Sequence, residues 1–171
     1  MIPIAPIKTL LYATDLSEGS IYALRYAVRM AAQLDARVHV LHALQPLSEE
    51  ARITLRSYVR DPSMREAAMN DRLATAREVM AERQRDFWAS QEPAHIALRE
   101  RIAALEIIEG SPPDVILERS VSLQADLILM GSHEHGFSHT FLGTVAKRVM
   151  RRSRIPTLIV PYPADAERNR A

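Results

Sequence analysis

Cysteine is absent from the 171 residues, which excludes thiol catalysis, disulfides and cysteine-based zinc sites. Glycine is scarce, with five residues, and aromatic side chains make up 5% of the chain. Neither sign of charge is in excess: 22 basic residues face 21 acidic ones, for a net charge of +1. That balance leaves no electrostatic footprint for nucleic acid. No apolar run approaches the roughly 20 residues that a membrane-spanning helix needs. The opening MIPIAPIKTLLYATD also lacks the charged start and apolar middle of a secretory signal. These absences predict a cytoplasmic protein with no nucleic-acid or membrane partner. Its length and 47% hydrophobic content suit one domain whose core needs no covalent staple. That domain is expected over 1–163, followed by a polar tail at 164–171.

What is present is a strong alternation of short apolar runs with helical periods. IKTLLYAT at 7–14 reads as a strand. Ser17 can cap the helix that follows, with Glu18 at its positive end. Ile21, Leu24, Val28, Ala31 and Leu34 recur at helical spacing. RVHVLHA at 37–43 makes a second strand, and 44–63 has no clean period. A long helix is predicted over 64–90, with Leu73, Ala76, Met80, Arg83 and Phe87 on one face. Pro93 breaks it, and IAALEII at 102–108 is a third strand. GSPP at 110–113 starts another helix, with Ser111 as cap and Pro113 early in it. DLILMG at 126–131 is a fourth strand, apolar along its length as a strand covered on both faces should be. A last helix over 143–153 places Val145, Val149 and Met150 inward. A fifth strand at 157–162 follows Pro156. This order predicts a doubly wound, five-stranded parallel α/β sheet. Ligands of such sheets bind beyond the carboxyl ends of the strands, where the strand order reverses.

The stretch MGSHEHGFSHTFLGTV at 130–145 lies at such an end, and it holds three of the five glycines and three of the six histidines. Gly131, Gly136 and Gly143 can take positive φ and let a ligand approach the backbone. Gly143-Thr144 stands where the next helix begins, so its free N–H groups favour an anion. The Ser132 and Thr144 hydroxyls can add hydrogen bonds to phosphate oxygens. Neither GxxxxGK[ST] nor GxGxxG is present. Two other readings remain open: the glycines only make turns, or His133, His135 and His139 with Glu134 bind a metal. Asp15 ends the first strand and either contacts a ribose or base or joins Ser17 in capping. His42 reads as a hydrogen-bonded rim histidine. No GxSxG elbow or argued acid–base pair is found, so an enzyme is not predicted.

Several segments together resemble the universal stress protein family: IKTLLYATDLSEGS at 7–20, VHVLHAL at 38–44, EGSPPDVILERS at 109–120, and ADLILMGSHEHG with LGTVAKRVMRRSRIPTLIVP across 125–161. The resemblance implies a Rossmann-like fold of the adenine nucleotide alpha hydrolase type. It also implies a stress-response regulator or sensor that forms a homodimer through the last strand, 157–162, and acts on a protein partner. One branch of the family binds ATP through G-x-x-G, nine residues, then G-[S/T]. Carried over by position, Asp15, Ala43, Met130, Gly131, Gly143, Thr144 and Val145 would line an ATP pocket, with Mg²⁺ as a possible companion. Glu134 stands where the second glycine of that pattern belongs, and the loop is one residue short. A carboxylate beside the triphosphate would repel it by about 4 kcal/mol at 4 Å for an effective dielectric of 20. Gly136 can substitute if the loop shifts. The alternative is a dimer that binds no nucleotide and acts through protein contacts. An adenylating enzyme is disfavoured, because ATDLSEG replaces the SGGxDS-type loop after the first strand.

Overall fold

The computed structural model describes residues 5–132 and 142–162. Five parallel strands form one sheet: β1 (Thr9–Thr14), β2 (Arg37–Leu44), β3 (Ile102–Glu109), β4 (Leu127–Gly131) and β5 (Thr157–Val160). Their order is β3-β2-β1-β4-β5. The order reverses between β1 and β4, whose registers run from Leu10↔Leu127 to Ala13↔Met130.

Alternation along β1 explains the two covered faces. Leu10 and Tyr12 point into one core with Val38, Val40, Leu127 and Leu129, under Ala23, Leu24, Ala27 and Val28 of helix α1 (Glu18–Leu34). Leu11 and Ala13 point into a second core with Leu41, Ile128 and Met130. That core is closed by Val115 and Ile116 of helix α5 (Pro112–Ser122) and by Ala146 and Val149 of helix α6 (Thr144–Arg152). Period-2 chemistry on a strand thus fills both layers at once.

Helix α1 starts as its sequence dictates: the Ser17 side chain accepts from the Ser20 N–H at 3.2 Å. Its end is set by Asp35, in the left-handed region at φ 51°. Asp35 there receives Lys8 Nζ at 3.0 Å and Arg101 Nη1 at 2.7 Å. Those two cations, Arg101 first, hold its carboxyl below the ordinary range.

Four local expectations are corrected. The stretch 44–63 is not irregular throughout, because Glu49–Tyr58 forms helix α2, capped by Ser48 on the Ala51 N–H at 3.2 Å. No residue of α2 is buried, so it carries no core-facing period to read. Helix α3 (Pro62–Ala89) begins at Asp61, whose side chain accepts from the Ser63 N–H at 2.8 Å. Only Ala76, Met80, Phe87 and Trp88 of this helix are buried. A short α4 (Pro93–Ile96) and a 3-10 turn at Ala97–Arg101 lead into β3.

Met150 is not inward but 49% exposed, since Ala146 and Val149 already supply the stripe of the nine-residue α6. The Ser111 hydroxyl does not cap α5; it is engaged by Asp114, whose carboxyl is lowered first by that hydrogen bond and then by Arg152. The last strand is shorter than 157–162 and stops at Val160. Gly110 explains the tight entry to α5: a Cβ there would sit 2.6 Å from Val115 Cγ2, inside contact distance.

Candidate functional site

A cavity of about 380 Å³ opens at the carboxyl end of the sheet, within the usual range for small-molecule sites. It lies at the switch between β1 and β4, as the strand order requires. Its walls are mainly apolar: Ala13, Leu41, Ala43, Ile116, Met130 and Val145. Polar groups enter from Asp15, Ser17, His42, Gln45, Ser132 and Thr144.

The two helix starts at this cavity differ. At α1 the chain satisfies itself. Leu16 adopts φ 64°, and its N–H donates to Thr14 Oγ1 at 3.0 Å. The Ser17 N–H donates to Asp15 Oδ1 at 2.9 Å. Asp15 therefore braces the cap residue Ser17 rather than capping the helix itself, and it also lines the cavity. The Ser20 hydroxyl closes the turn by donating to the Ser17 carbonyl at 2.7 Å and lying 2.9 Å from Thr14 Oγ1.

At α6 no such closure exists among the described residues. Gly143 is the N-cap and has no side chain to offer. The first-turn N–H groups of Thr144, Val145 and Ala146, residues that all line the cavity, have no acceptor within their own helix. Ser132 lines the same cavity, and its Oγ is buried and has no hydrogen-bond partner. A buried hydroxyl without a partner costs about 1–3 kcal/mol, a cost a ligand oxygen would remove. An N-terminus without a side-chain cap and a residue with an orphaned hydroxyl, both lining one cavity, are suited to an anion such as phosphate.

His42 is a satisfied rim histidine, as its position suggests. Its Nδ1–H donates to the Thr14 carbonyl at 2.9 Å, which leaves Nε2 as the ring nitrogen available to a ligand. Arg72 of α3 steadies the rim: its Nη2 donates to the Gln45 carbonyl at 2.8 Å, and Nη1 lies 3.8 Å from Glu109.

Of the sequence-predicted site residues, Asp15, Ala43, Met130, Gly131, Ser132, Thr144 and Val145 all line this one cavity. Gly143 adjoins it as the cap of α6. Gly136 and the metal candidates His133, Glu134, His135 and His139 lie outside the described residues. Among the described residues no group of three metal-ligating side chains comes together. The expected positive φ at Gly131 and Gly143 is not found: Gly110 is the one glycine with positive φ among the described residues. At Gly131 a Cβ would meet the Gly19 carbonyl oxygen at 3.5 Å and Ser20 Cα at 3.6 Å, ordinary contact distances, so the space there does not require glycine. Thr14, Ser20, Gln45 and Ala146 also line the cavity without having been singled out. The carboxyl-end rule could have found Thr14 and Gln45. Nothing in a linear pattern marks Ser20, which reaches the site through the fold of α1.

Comparison with known proteins agrees with this geometry. Residues 6–161 match the model of the universal stress protein family. A universal stress protein from Thermus aquaticus, encoded in the 3′ region of a QAH/OAS sulfhydrylase, is 29% identical over 154 residues. The match covers 90% of this chain and 98% of that protein. Among solved structures, hypothetical protein MJ0577 superposes with a TM-score of 0.69 at 22% identity, over 94% of this chain and 99% of the other. A universal stress protein solved in complex with cAMP gives 0.59 at 22% identity, over 91% and 98%. These structures share the Rossmann-like, nucleotide-hydrolase-like α/β fold built here on the order β3-β2-β1-β4-β5. With the family match running from the start of β1 through the end of β5, the chain belongs to the universal stress protein family.

Proposed function

We propose that the protein binds ATP, with Mg²⁺, in the switch-point cavity and acts as a non-catalytic sensor or regulator in the stress response. The observation that carries this is that Thr144 and Val145 of the uncapped α6 N-terminus and Ser132, with its orphaned, buried hydroxyl, line the same cavity. Those residues receive phosphates, while Ala43, Met130 and Ile116 pack the base and Asp15 holds the ribose. The universal stress protein solved in complex with cAMP supports this reading. Binding would act by shifting the population of a partner-recognition surface, through the difference in nucleotide affinity between two states. The cytoplasm is the proposed location; no described helix is long and apolar enough to cross a membrane.

The test is calorimetric titration of ATP–Mg²⁺ into the native protein and into Asp15→Ala and Gly143→Val. The expected result is saturable heat in the native protein and at least a tenfold loss of affinity in each variant. The protein is also denatured and its supernatant assayed for co-purified nucleotide. A silent titration with an empty supernatant would reject ATP binding. A dimer working by contacts alone, favoured by Glu134 in the sequence pattern, would then take its place.

A further inference from the structure

A second concavity lies away from the first and shares no lining residue with it. It is a groove of about 490 Å³ between the outer face of α1 and the end of α3 with α4. Its floor is aromatic. Phe87 and Trp88 are 3% and 7% exposed and meet edge to face, with ring centroids 4.9 Å apart. Trp88 Nε1–H donates to Gln84 Oε1 at 3.3 Å, which fixes the indole. Tyr22 and Tyr26 form one wall, with their hydroxyls 3.1 Å apart and their rings edge to face at 5.4 Å. Tyr22 is braced from behind by Tyr162, 5.9 Å away at a right angle.

The charge on this groove is one-sided. Arg25 and Arg29 line it against a single acid, Glu92. Among the described residues neither arginine has a carboxylate partner, although Lys8, Arg72, Arg101, Arg119 and Arg152 all do. Two guanidinium groups one helical turn apart on α1, above a rigid aromatic floor, match a planar anion in both respects. Guanidinium forks take carboxylates bidentately, and the rings offer flat apolar area. The volume lies within the range of small-molecule sites.

We propose that this groove is a second binding site, for a small aromatic carboxylate, independent of the switch-point cavity. The carboxylate is held by Arg25 and Arg29, and its ring packs against Tyr22, Tyr26 and Trp88. The tyrosine hydroxyl pair is placed to bond a ring substituent.

The chain has one tryptophan, so the indole N–H resonance of the ¹⁵N-labelled protein reports on this groove alone. The probe is 2-naphthoate, with neutral 2-naphthylmethanol as its uncharged counterpart, titrated into the full chain by NMR and calorimetry. The expected result is a saturable shift of the Trp88 indole signal by naphthoate and at least tenfold weaker binding of the alcohol. A double variant, Arg25→Gln with Arg29→Gln, should lose naphthoate at least tenfold while its other amide resonances stay in place. Saturating ATP–Mg²⁺ should leave the naphthoate affinity unchanged. An unmoved indole signal overturns the proposal, as does equal binding of acid and alcohol or displacement of naphthoate by ATP. If the double variant is misfolded, Arg29→Lys decides the matter: a single ammonium cannot replace the fork, and undiminished affinity overturns it.

Discussion

Glu106 of β3 and Arg119 of α5 meet in two charge-assisted hydrogen bonds of 2.7 and 2.6 Å, with both side chains 27% exposed. Arg119 holds the Glu106 carboxyl below its ordinary value of 4.5. A carboxylate whose folded pKa is depressed contributes stability above its unfolded pKa and loses it as pH falls through the folded value. Glu106→Gln is therefore expected to cost about 1 kcal/mol at pH 7, typical of a well-formed pair at the surface. The difference from the native protein should shrink as pH drops below 4.5 and vanish once Glu106 is protonated. Urea unfolding of both proteins between pH 7 and pH 3 measures it. His39 sits beside this pair with its Nδ1 buried and unpartnered. Burial lowers its pKa from the ordinary 6.5, so its own loss of stability begins at higher pH, below about 6.5. The Glu106 charge partly offsets that lowering, so the difference between the two proteins also carries a His39 contribution below about pH 6.5.

Helices α2 and α3 differ in what supports them. α2 buries no residue and stands on its Ser48 cap and on Glu49 and Glu50 at its positive end. α3 delivers Met80, Phe87 and Trp88 to the core. Thr54→Pro removes one internal hydrogen bond of α2 and clashes with the preceding turn. It should unfold α2 locally and leave the urea midpoint of the whole chain almost unchanged. Met80→Ala should cost about 2–5 kcal/mol and shift that midpoint clearly. Circular dichroism during denaturation reads both outcomes, and equal midpoint shifts would contradict the assignment.

The same contrast explains what could be read from the chain. Strands β1, β2 and β4 were legible because both faces are covered, and helix α1 because Leu24, Val28 and Ala31 mark one buried stripe. Its capping Ser17 was legible too. α2 was not, since a helix without a buried face leaves no period in the sequence. Met150 was misplaced because two residues of a short helix sufficed for the core. At the site, position relative to strand ends located Asp15, Gly131 and Ser132. Ser20 enters by a turn of α1, and Arg72 reaches Gln45 across 27 residues; neither relation has a local signal.

At the scale of the whole molecule, β5 is an edge of the sheet among the described residues. Ile128 N–H donates to the Pro156 carbonyl and Ser132 N–H to the Val160 carbonyl, each at 2.9 Å. By strand alternation the Ile159 N–H then faces away from β4. An apolar edge of this kind invites pairing, and the proposed homodimer joins two copies of it. Sedimentation equilibrium should give twice the 19.3 kDa chain mass. Ile159→Pro removes the outward donor and keeps the bonds to β4, so it should sediment as the monomer. A native protein that is monomeric at all concentrations would leave β5 as a terminal strand only.

The central position of β1 has a consequence for the order in which the protein can be made. Residues 9–14 leave the ribosome first, and β2 and then β3 can add to one side of them. The other side waits for Leu127–Met130, more than a hundred residues later. Until then the nascent sheet exposes the apolar strand β1 as an unpaired border. Borders of this kind are where growing chains stick to one another, so the interval before β4 emerges is when this protein most depends on being kept apart from its neighbours.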